Sequence, residues 1–383
     1  MGGWTALFFI LNSISRAREN RNAAKQIAAA KRQNTENRGI ILSKPASVES
    51  LVDNYGINGN LIFSGGSERF RNRALARLSH QALYQQQCVV VLHSGNHLLE
   101  QEIEAAVGSG FVQKFNKSLP CYDPFYNLSR YEIGSIILES SGKIEPIGRS
   151  VIEGMYDFMT SKNTDPSTYL FATCPYHELL SRVKAAEAKQ AITDTQAQSI
   201  VTKLMQGQQG IPSIANYFFE FYNQSKLILA SNPKSAYKAN IFSSVANNKI
   251  VIFDIISPTN NLLINVVACE IERLLSQGLT VKLIVDGIPY SASPVLQKII
   301  KTIGKLCSVV ISDSDVYSIF TGEEPTFFAV CSRADNIYIS KHLSVHSCQK
   351  WSEIIGSYEK VDIGKTISSS GGLLFPTPMG GGH

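Results

Sequence analysis

Two apolar strands that end in different turn residues constrain the fold of this chain most. Residues 60–72 read NLIFSGGSERFRN, in which a short apolar strand is followed by Gly65, Gly66 and the start of a helix. Residues 281–289 read VKLIVDGIP, a second apolar strand that ends in Asp286. Because both strands are apolar throughout, they are expected to lie inside a sheet that is covered on both faces.

Apolar strand patterns alternate with helical patterns through most of the chain. Strands are predicted at 61–64, 88–93, 250–255, 281–285, 308–312, 326–331 and 336–340. Helical periodicity lies between several of them, at 71–86, 264–277 and 294–304. This alternation predicts an α/β fold with a mostly parallel sheet. With the early Gly turn and the late Asp strand, it is the frame of a RecA-like P-loop NTPase domain.

The Gly turn has the position of a phosphate-binding loop, but its diagnostic residues differ. A P-loop reads G-x-x-x-x-G-K-[ST], in which the Lys contacts phosphates and the hydroxyl binds Mg²⁺. With Gly65 in the first position, Phe70, Arg71 and Asn72 replace the Gly, the Lys and the Ser/Thr. Gly287 follows Asp286, where many such ATPases place a Glu. We therefore predict no catalytic residue, and a degenerate nucleotide site formed by Gly65, Gly66, Ser67, Arg71, Asn72 and Asp286.

Neither a cofactor nor a metal site is expected in this chain. Phe70 places a ring where the backbone of a P-loop wraps the phosphate closely, and Glu68 adds a negative charge. If residual binding remains, ATP and Mg²⁺ are the ligands, held by backbone amides at a helix N-terminus and by the Arg71 cation. The alternative is a strand-to-helix turn kept only for the fold.

Arginines cluster beside this turn. Arg69, Arg73 and Arg77 recur at four-residue spacing around Arg71. They are predicted to contact an acidic partner or nucleic acid, and the alternative is a solvated helix face.

The N-terminal segment, residues 1–39, combines an apolar start with a basic arm. Residues 1–44 hold eight basic and two acidic residues, so the rest of the chain has a formal charge of −1 out of the total of +5. The apolar run at 4–11 is shorter than the roughly 20 residues that cross a membrane. Three interpretations remain open: contact with a membrane surface through residues 1–14, a docking tail for a protein, or a helix end without a role.

The middle of the chain is helical rather than alternating. Residues 125–243 are predicted to form an all-helical insertion domain, between residues 40–124 and 244–367 of the α/β domain. Five aromatic residues, at 217, 218, 219, 221 and 222, are too many for one buried helix face, so some are expected to be exposed. Residues 368–383 are rich in Gly, Pro and Ser and are predicted to be a flexible tail.

The order of these elements resembles the TraG/TraD-type coupling ATPases of conjugative type IV secretion, in the FtsK–HerA group of DNA-pumping motors. The resemblance covers roughly residues 40–365. It depends on LIFSGGSERFRN, CVVVLHSGN, NKIVIFDIISPTNNLLINVVACEIERLL, LTVKLIVDGIP and FFAVCSRADNIYISKHLSVHSCQKWSEIIGSYE.

The resemblance implies a cytoplasmic protein at the inner face of the cell membrane. It implies proteins of a secretion or conjugation machinery as partners, among them an active paralogous ATPase, in a homo- or hetero-hexamer. The altered loop then predicts a pseudo-ATPase that acts as a structural or adaptor subunit. Two alternatives stay open: an atypical active ATPase motor that translocates DNA, and a protein that binds nucleic acid or a membrane surface through its basic arm.

Overall fold

The computed structural model describes residues 59–230, 237–255, 257, 261–301, 307–320, 323–342 and 344–355. The predicted apolar segment, basic arm and C-terminal tail lie outside these residues. The described residues up to Ser347 belong to one compact unit, and those from Cys348 belong to a second.

A seven-stranded, all-parallel sheet forms the centre of the described residues. The strand order across the sheet is β3-β4-β2-β5-β6-β1-β7. The strands are β1 (Leu61–Ser64), β2 (Cys88–His93), β3 (Val112–Phe115), β4 (Ile250–Asp254), β5 (Val281–Asp286), β6 (Cys307–Asp313) and β7 (Asn336–Ile339). The predicted α/β fold with a parallel sheet is confirmed.

Helices follow nearly every strand. They are α1 (Glu68–Tyr84), α2 (His97–Val107), α3 (Arg130–Ser141), α4 (Gly148–Ser161), α5 (Thr168–Ala172), α6 (Leu179–Ala188), α7 (Asp194–Gln206), α8 (Ile211–Ser225), α9 (Ile241–Ala246), α10 (Asn261–Ser276), α11 (Pro294–Lys301), α12 (Val316–Ile319), α13 (Glu324–Cys331) and α14 (Val345–Ile355). Short 3₁₀ turns lie at Ser109–Phe111, Tyr176–Glu178, Gln208–Gly210 and Tyr290–Ala292. The strands β1, β2, β4 and β5 are buried along their whole length, as both-face coverage requires.

The register brings the chemically important strand ends to one edge of the sheet. Ser64 at the end of β1 lies opposite Asp313 of β6, and Asp286 of β5 lies opposite Ser312 of β6. His93 of β2 lies between Asp254 of β4 and Asp286 of β5. The loops that follow these residues therefore meet at the carboxyl edge, where ligands of parallel sheets bind.

One strand prediction is wrong, and one strand of the sheet was not predicted. The apolar run TFFAVC at 326–331 lies in helix α13, because a run this short fits a buried helix as well as a strand. Conversely, Val112–Phe115 forms the edge strand β3, which was not predicted. Its sequence, VQKF, carries polar residues in the middle and so lacks a continuous apolar pattern.

Between β3 and β4, the regular elements that the structure describes are helices, and isolated β-bridges join Tyr122 to Leu229 and Ala239. Helix α3 begins with a capping box between Ser129 and Glu132, and α7 begins with one between Thr193 and Gln196. Phe171 and Phe218 stack in the core of this segment with ring centroids 5.1 Å apart. Phe219, as expected of this aromatic cluster, is 67% exposed. The domain boundaries 125–243 stay a prediction.

Helix α10, which belongs to the α/β part of the chain, is bonded to this helical segment. Asn265 donates a hydrogen bond to the carbonyl of Ser140 at 2.9 Å, and Arg273 pairs with Glu132. Among the described helices, none has the length and apolarity needed to cross a bilayer.

Candidate functional site

The Gly turn after β1 is closed by hydrogen bonds to neighbouring strand ends. Gly65 and Gly66 have φ angles of +85° and +75°, which glycine adopts without strain. The Gly65 N–H donates to the carbonyl of Asp313 at 3.1 Å, and the Gly66 N–H donates to the carbonyl of Lys341 at 3.2 Å. The Ser67 hydroxyl caps helix α1 by accepting from the Phe70 N–H at 3.3 Å. The N–H groups of both glycines are thus bonded within the protein.

Arg71 folds back into the turn. Its Nη1 donates to the carbonyl oxygens of Gly65 at 3.2 Å and Gly66 at 3.0 Å, and the residue is buried. In a phosphate-binding loop the cation points towards the ligand. Here the guanidinium donates hydrogen bonds to the carbonyl oxygens of the loop itself, so Arg71 stabilises the turn.

Asn72 and Asp286 are connected through Asn96, which the sequence analysis did not identify. Asn96 Nδ2 donates to Asn72 Oδ1 at 2.9 Å and to Asp286 Oδ2 at 2.7 Å. Asn72 Nδ2 in turn donates to Asn96 Oδ1 at 3.0 Å. The side chain of Asn96 also caps helix α2 by accepting from the Leu99 N–H at 3.1 Å. The structure therefore places two mutually hydrogen-bonded amides, those of Asn72 and Asn96, beside the Asp286 carboxylate.

The residue after Asp286 is constrained by its backbone. Gly287 has a φ of +67°, and its N–H donates to the carbonyl of Ser312 at 2.9 Å. A Glu at this position would carry the strain of a left-handed backbone. The local geometry therefore disfavours a Glu at position 287.

We expect Gly65→Ala to lower the free energy of unfolding by roughly 3 kcal/mol. A Cβ at Gly65 would lie 2.9 Å from the carbonyl oxygens of Ser340 and Lys341, in addition to the strain of its positive φ. Gly278→Ala is the matched control, because Gly278 has a φ of +79° with nothing within 4 Å of the added Cβ. That variant is expected to lose only about 1 kcal/mol. Urea unfolding of both variants measures the difference, and equal losses would contradict the close approach of the turn to the chain after β7.

A second polar cluster lies at the carboxyl ends of β2 and β4. His93 is fully buried, and its Nδ1 accepts a hydrogen bond from the Asn96 N–H at 3.1 Å. Its Nε2 lies 3.2 Å from Glu100 Oε1. His97 Nδ1 lies 3.4 Å from the same oxygen and 3.9 Å from Asp254 Oδ2. His97, Glu100 and Asp254 are the described residues whose ligand atoms come close enough together to hold a metal ion.

Glu100 is stabilised as a carboxylate within this cluster. Burial raises its pKa, but the neighbouring His93 and His97 imidazoles and the Asn116 amide outweigh that effect, and the net pKa is lowered. Asn116 Nδ2 donates to Glu100 Oε2 at 2.9 Å. The sequence gives little signal for this cluster, because Asp254 lies more than 150 positions after Glu100 and only the sheet brings them together.

The predicted arginine contact lies along one face of α1. Arg69 and Arg73 are exposed and Arg77 is half-buried. Arg73 lies 4.0 Å from Glu102 on the neighbouring helix α2. A contact of this face with an acidic partner or nucleic acid stays a prediction.

Comparison with known proteins gives a partial likeness of fold. No protein-family model matches this chain, and no curated protein sequence matches it. A solved structure of the bacterial conjugative coupling protein TrwBdeltaN70, in its unbound monoclinic form, is 14% identical over 72% of this chain and 69% of its own, with a TM-score of 0.41. Its trigonal form with sulphate is 11% identical over 81% and 76%, with a TM-score of 0.44. VirB4 of Thermoanaerobacter pseudethanolicus is 10% identical over 78% and 81%, with a TM-score of 0.37.

Proposed function

We propose that this chain is a pseudo-ATPase related to the coupling proteins of type IV secretion and conjugation. In this proposal it acts as a structural or adaptor subunit in DNA transfer or secretion, beside an active paralogous ATPase. The parallel sheet, the Gly turn after β1 and Asp286 at the end of β5 support the relationship. The resemblance of the sequence to the coupling ATPases connects this frame to them.

The bonding of Arg71 to its own loop carries the pseudo-ATPase part of the proposal. A P-loop binds phosphate with free backbone N–H groups and a projecting cation. In this chain, Asp313 and Lys341 carbonyl oxygens accept from the N–H groups of Gly65 and Gly66. The Arg71 guanidinium is held by the loop carbonyl oxygens. Phosphate binding would therefore require several of these bonds to break, at about 1 kcal/mol or more each.

The residues at the position where Mg²⁺ would bind also differ from those of an active site. Asn72 supplies an amide where the metal needs a hydroxyl, and Asn96 Nδ2 occupies one oxygen of the Asp286 carboxylate. An active motor would need a base near Asp286, and Gly287 supplies none. The alternative of an atypical ATPase therefore requires a base from a neighbouring subunit and a different Arg71 conformation.

We expect isothermal titration of Mg²⁺–ATP into the full chain to detect no binding with a Kd below about 1 mM. We also expect no ATP turnover, because the N–H groups of Gly65 and Gly66 and the Arg71 guanidinium are bonded within the protein. Sub-millimolar binding together with turnover would contradict the pseudo-ATPase assignment.

Arg71→Ala separates the two candidate functions in the same assay. If Arg71 replaces the catalytic Lys, this variant abolishes any turnover that the wild-type chain shows. If Arg71 only stabilises the turn, the variant lowers the melting temperature and leaves nucleotide binding undetectable. Turnover that is equal in both proteins would belong to a contaminant or to another site.

A further inference from the structure

We propose that His97, Glu100 and Asp254 form a binding site for one divalent transition metal ion, with Zn²⁺ as the best match. The site lies at the carboxyl ends of β2 and β4 and does not use the Gly turn. This proposal is therefore independent of the proposed function, and failure of one would not affect the other.

The distances between the three ligand atoms suit a zinc ion. Zinc bonds of about 2.0–2.2 Å to nitrogen and oxygen place the ligands of a tetrahedral site about 3.4 Å apart. His97 Nδ1 is 3.4 Å from Glu100 Oε1 and 3.9 Å from Asp254 Oδ2. All three ligand atoms lie within 4.8 Å of one another. A small torsional shift of the half-exposed His97 ring would shorten its 3.9 Å separation from Asp254 Oδ2.

Each carboxylate is held by a hydrogen bond to the oxygen that does not face His97. Asp254 Oδ1 accepts from the Gly95 N–H at 3.0 Å. Glu100 Oε2 accepts from Asn116 Nδ2 at 2.9 Å. The remaining oxygens, Oδ2 and Oε1, are the ones nearest to His97 Nδ1. Outer hydrogen bonds of this kind orient metal ligands and strengthen binding.

His93 supports the site without being a ligand. Its Nδ1 accepts a hydrogen bond from the Asn96 N–H, so in the neutral ring Nε2 carries the hydrogen, and Nε2 lies 3.2 Å from Glu100 Oε1. Asn96 also bonds Asp286, so the same loop connects the proposed metal site to the end of β5.

The charge and the surroundings favour a cation with an open coordination position. Glu100 and Asp254 are buried carboxylates that are only 5% and 3% exposed, whereas the His97 side chain is half exposed. A cavity of about 790 Å³ borders His97 and Glu100. Three protein ligands and one position facing the cavity are the arrangement of zinc sites that bind a water or a further ligand. The nitrogen ligand favours a transition metal over Mg²⁺ or Ca²⁺.

Calorimetric titration of Zn²⁺ into the chelator-treated full chain tests the proposal. We expect the wild-type chain to bind one Zn²⁺ that His97→Ala weakens at least about tenfold and Asp254→Asn weakens similarly. His177→Ala is the matched control: His177 also lies near a glutamate, with its Nε2 3.5 Å from Glu178 Oε1, but it is exposed and outside the cluster. Its loss is expected to leave the titration unchanged.

Cobalt absorption identifies the ligand type in the same proteins. Co²⁺ bound at this site is expected to give a visible spectrum without the thiolate charge-transfer band of a cysteine site, and His97→Ala is expected to remove it. Circular dichroism verifies that His97→Ala is folded, which its exposed position favours. Zinc affinity and stoichiometry equal in the wild-type chain and His97→Ala, or no binding by the wild-type chain, would overturn the proposal.

Discussion

Replacing Glu270 by Gln is expected to stabilise the protein by several kcal/mol at pH 8.5 and to change its stability little at pH 4.5. Glu270 is a buried residue of α10 whose Oε2 lies 2.5 Å from the Tyr122 hydroxyl. Its Oε1 accepts from the Ile241 N–H at 3.2 Å. Burial raises the pKa of Glu270 from its ordinary value of 4.5 to about 8, against the lowering effect of the Tyr122 hydrogen bond.

The direction of the pH dependence follows from proton binding. Between pH 4.5 and pH 8 the folded state holds a proton on Glu270 that the unfolded state has lost. The contribution of this group to stability is therefore complete below pH 4.5, shrinks as the pH rises, and is gone above pH 8. This difference in pKa between the folded and unfolded states corresponds to at most about 5 kcal/mol of folding free energy, a large part of the stability of a typical domain.

Glutamine matches the protonated form of Glu270 in shape and hydrogen bonding. Its Oε1 can accept from the Ile241 N–H, and its Nε2 can donate to the Tyr122 hydroxyl. Since Gln does not titrate, the stability of the variant relative to the wild-type chain should rise steadily from pH 4.5 to pH 8.

Urea unfolding at several pH values measures this difference. Glu145→Gln is the control, because Glu145 is an exposed glutamate for which no comparable change is expected. Parallel stability curves for the wild-type chain and Glu270→Gln across this pH range would show that Glu270 titrates normally in the folded state.

Continuous apolar strands made the sheet predictable from the sequence. Runs such as CVVVLH and VKLIVD lack the alternation of apolar and polar residues that a strand with one exposed face shows. They therefore predict strands that are covered by helices on both faces. The edge strand Val112–Phe115 escaped prediction because an edge position tolerates polar residues such as Lys114. The strand predicted at TFFAVC was wrong, because the periodicity of apolar residues alone does not distinguish a short buried helix from a strand.

The candidate site divides into a local part and a long-range part. The substitutions at Phe70, Arg71 and Asn72 stand in one turn, so the sequence alone identified them. The direction of the Arg71 side chain could not be predicted from the sequence, because it depends on carbonyl oxygens exposed by the positive φ angles of Gly65 and Gly66. Asn96 and Asp254 reach the site only through the strand order, which no local pattern encodes.

Lys282→Met is expected to raise the free energy of unfolding by about 2 kcal/mol at pH 7. Lys282 lies in the middle of the sheet on β5 and is fully buried, with its Nζ 3.3 Å from the Gly59 carbonyl oxygen. Burial lowers its pKa from 10.5 to about 8, although Cys307 and Asp335 act in the opposite direction. Keeping the buried ammonium charged at pH 7 thus costs about 3 kcal/mol, from which the lost hydrogen bond to Gly59 is subtracted.

The pH dependence of this gain distinguishes the charge from simple packing. Between pH 8 and pH 10.5 the unfolded state binds a proton that the folded state does not, so the stability contributed by Lys282 rises with pH in that range. The advantage of Met should therefore shrink above pH 8 and vanish near pH 10.5. Lys184→Met, at an exposed position of α6, is the control and is expected to change stability by less than about 0.5 kcal/mol. A gain at Lys282→Met that stays constant from pH 7 to pH 10.5 would mean that better packing, and not removal of a buried charge, stabilises the variant.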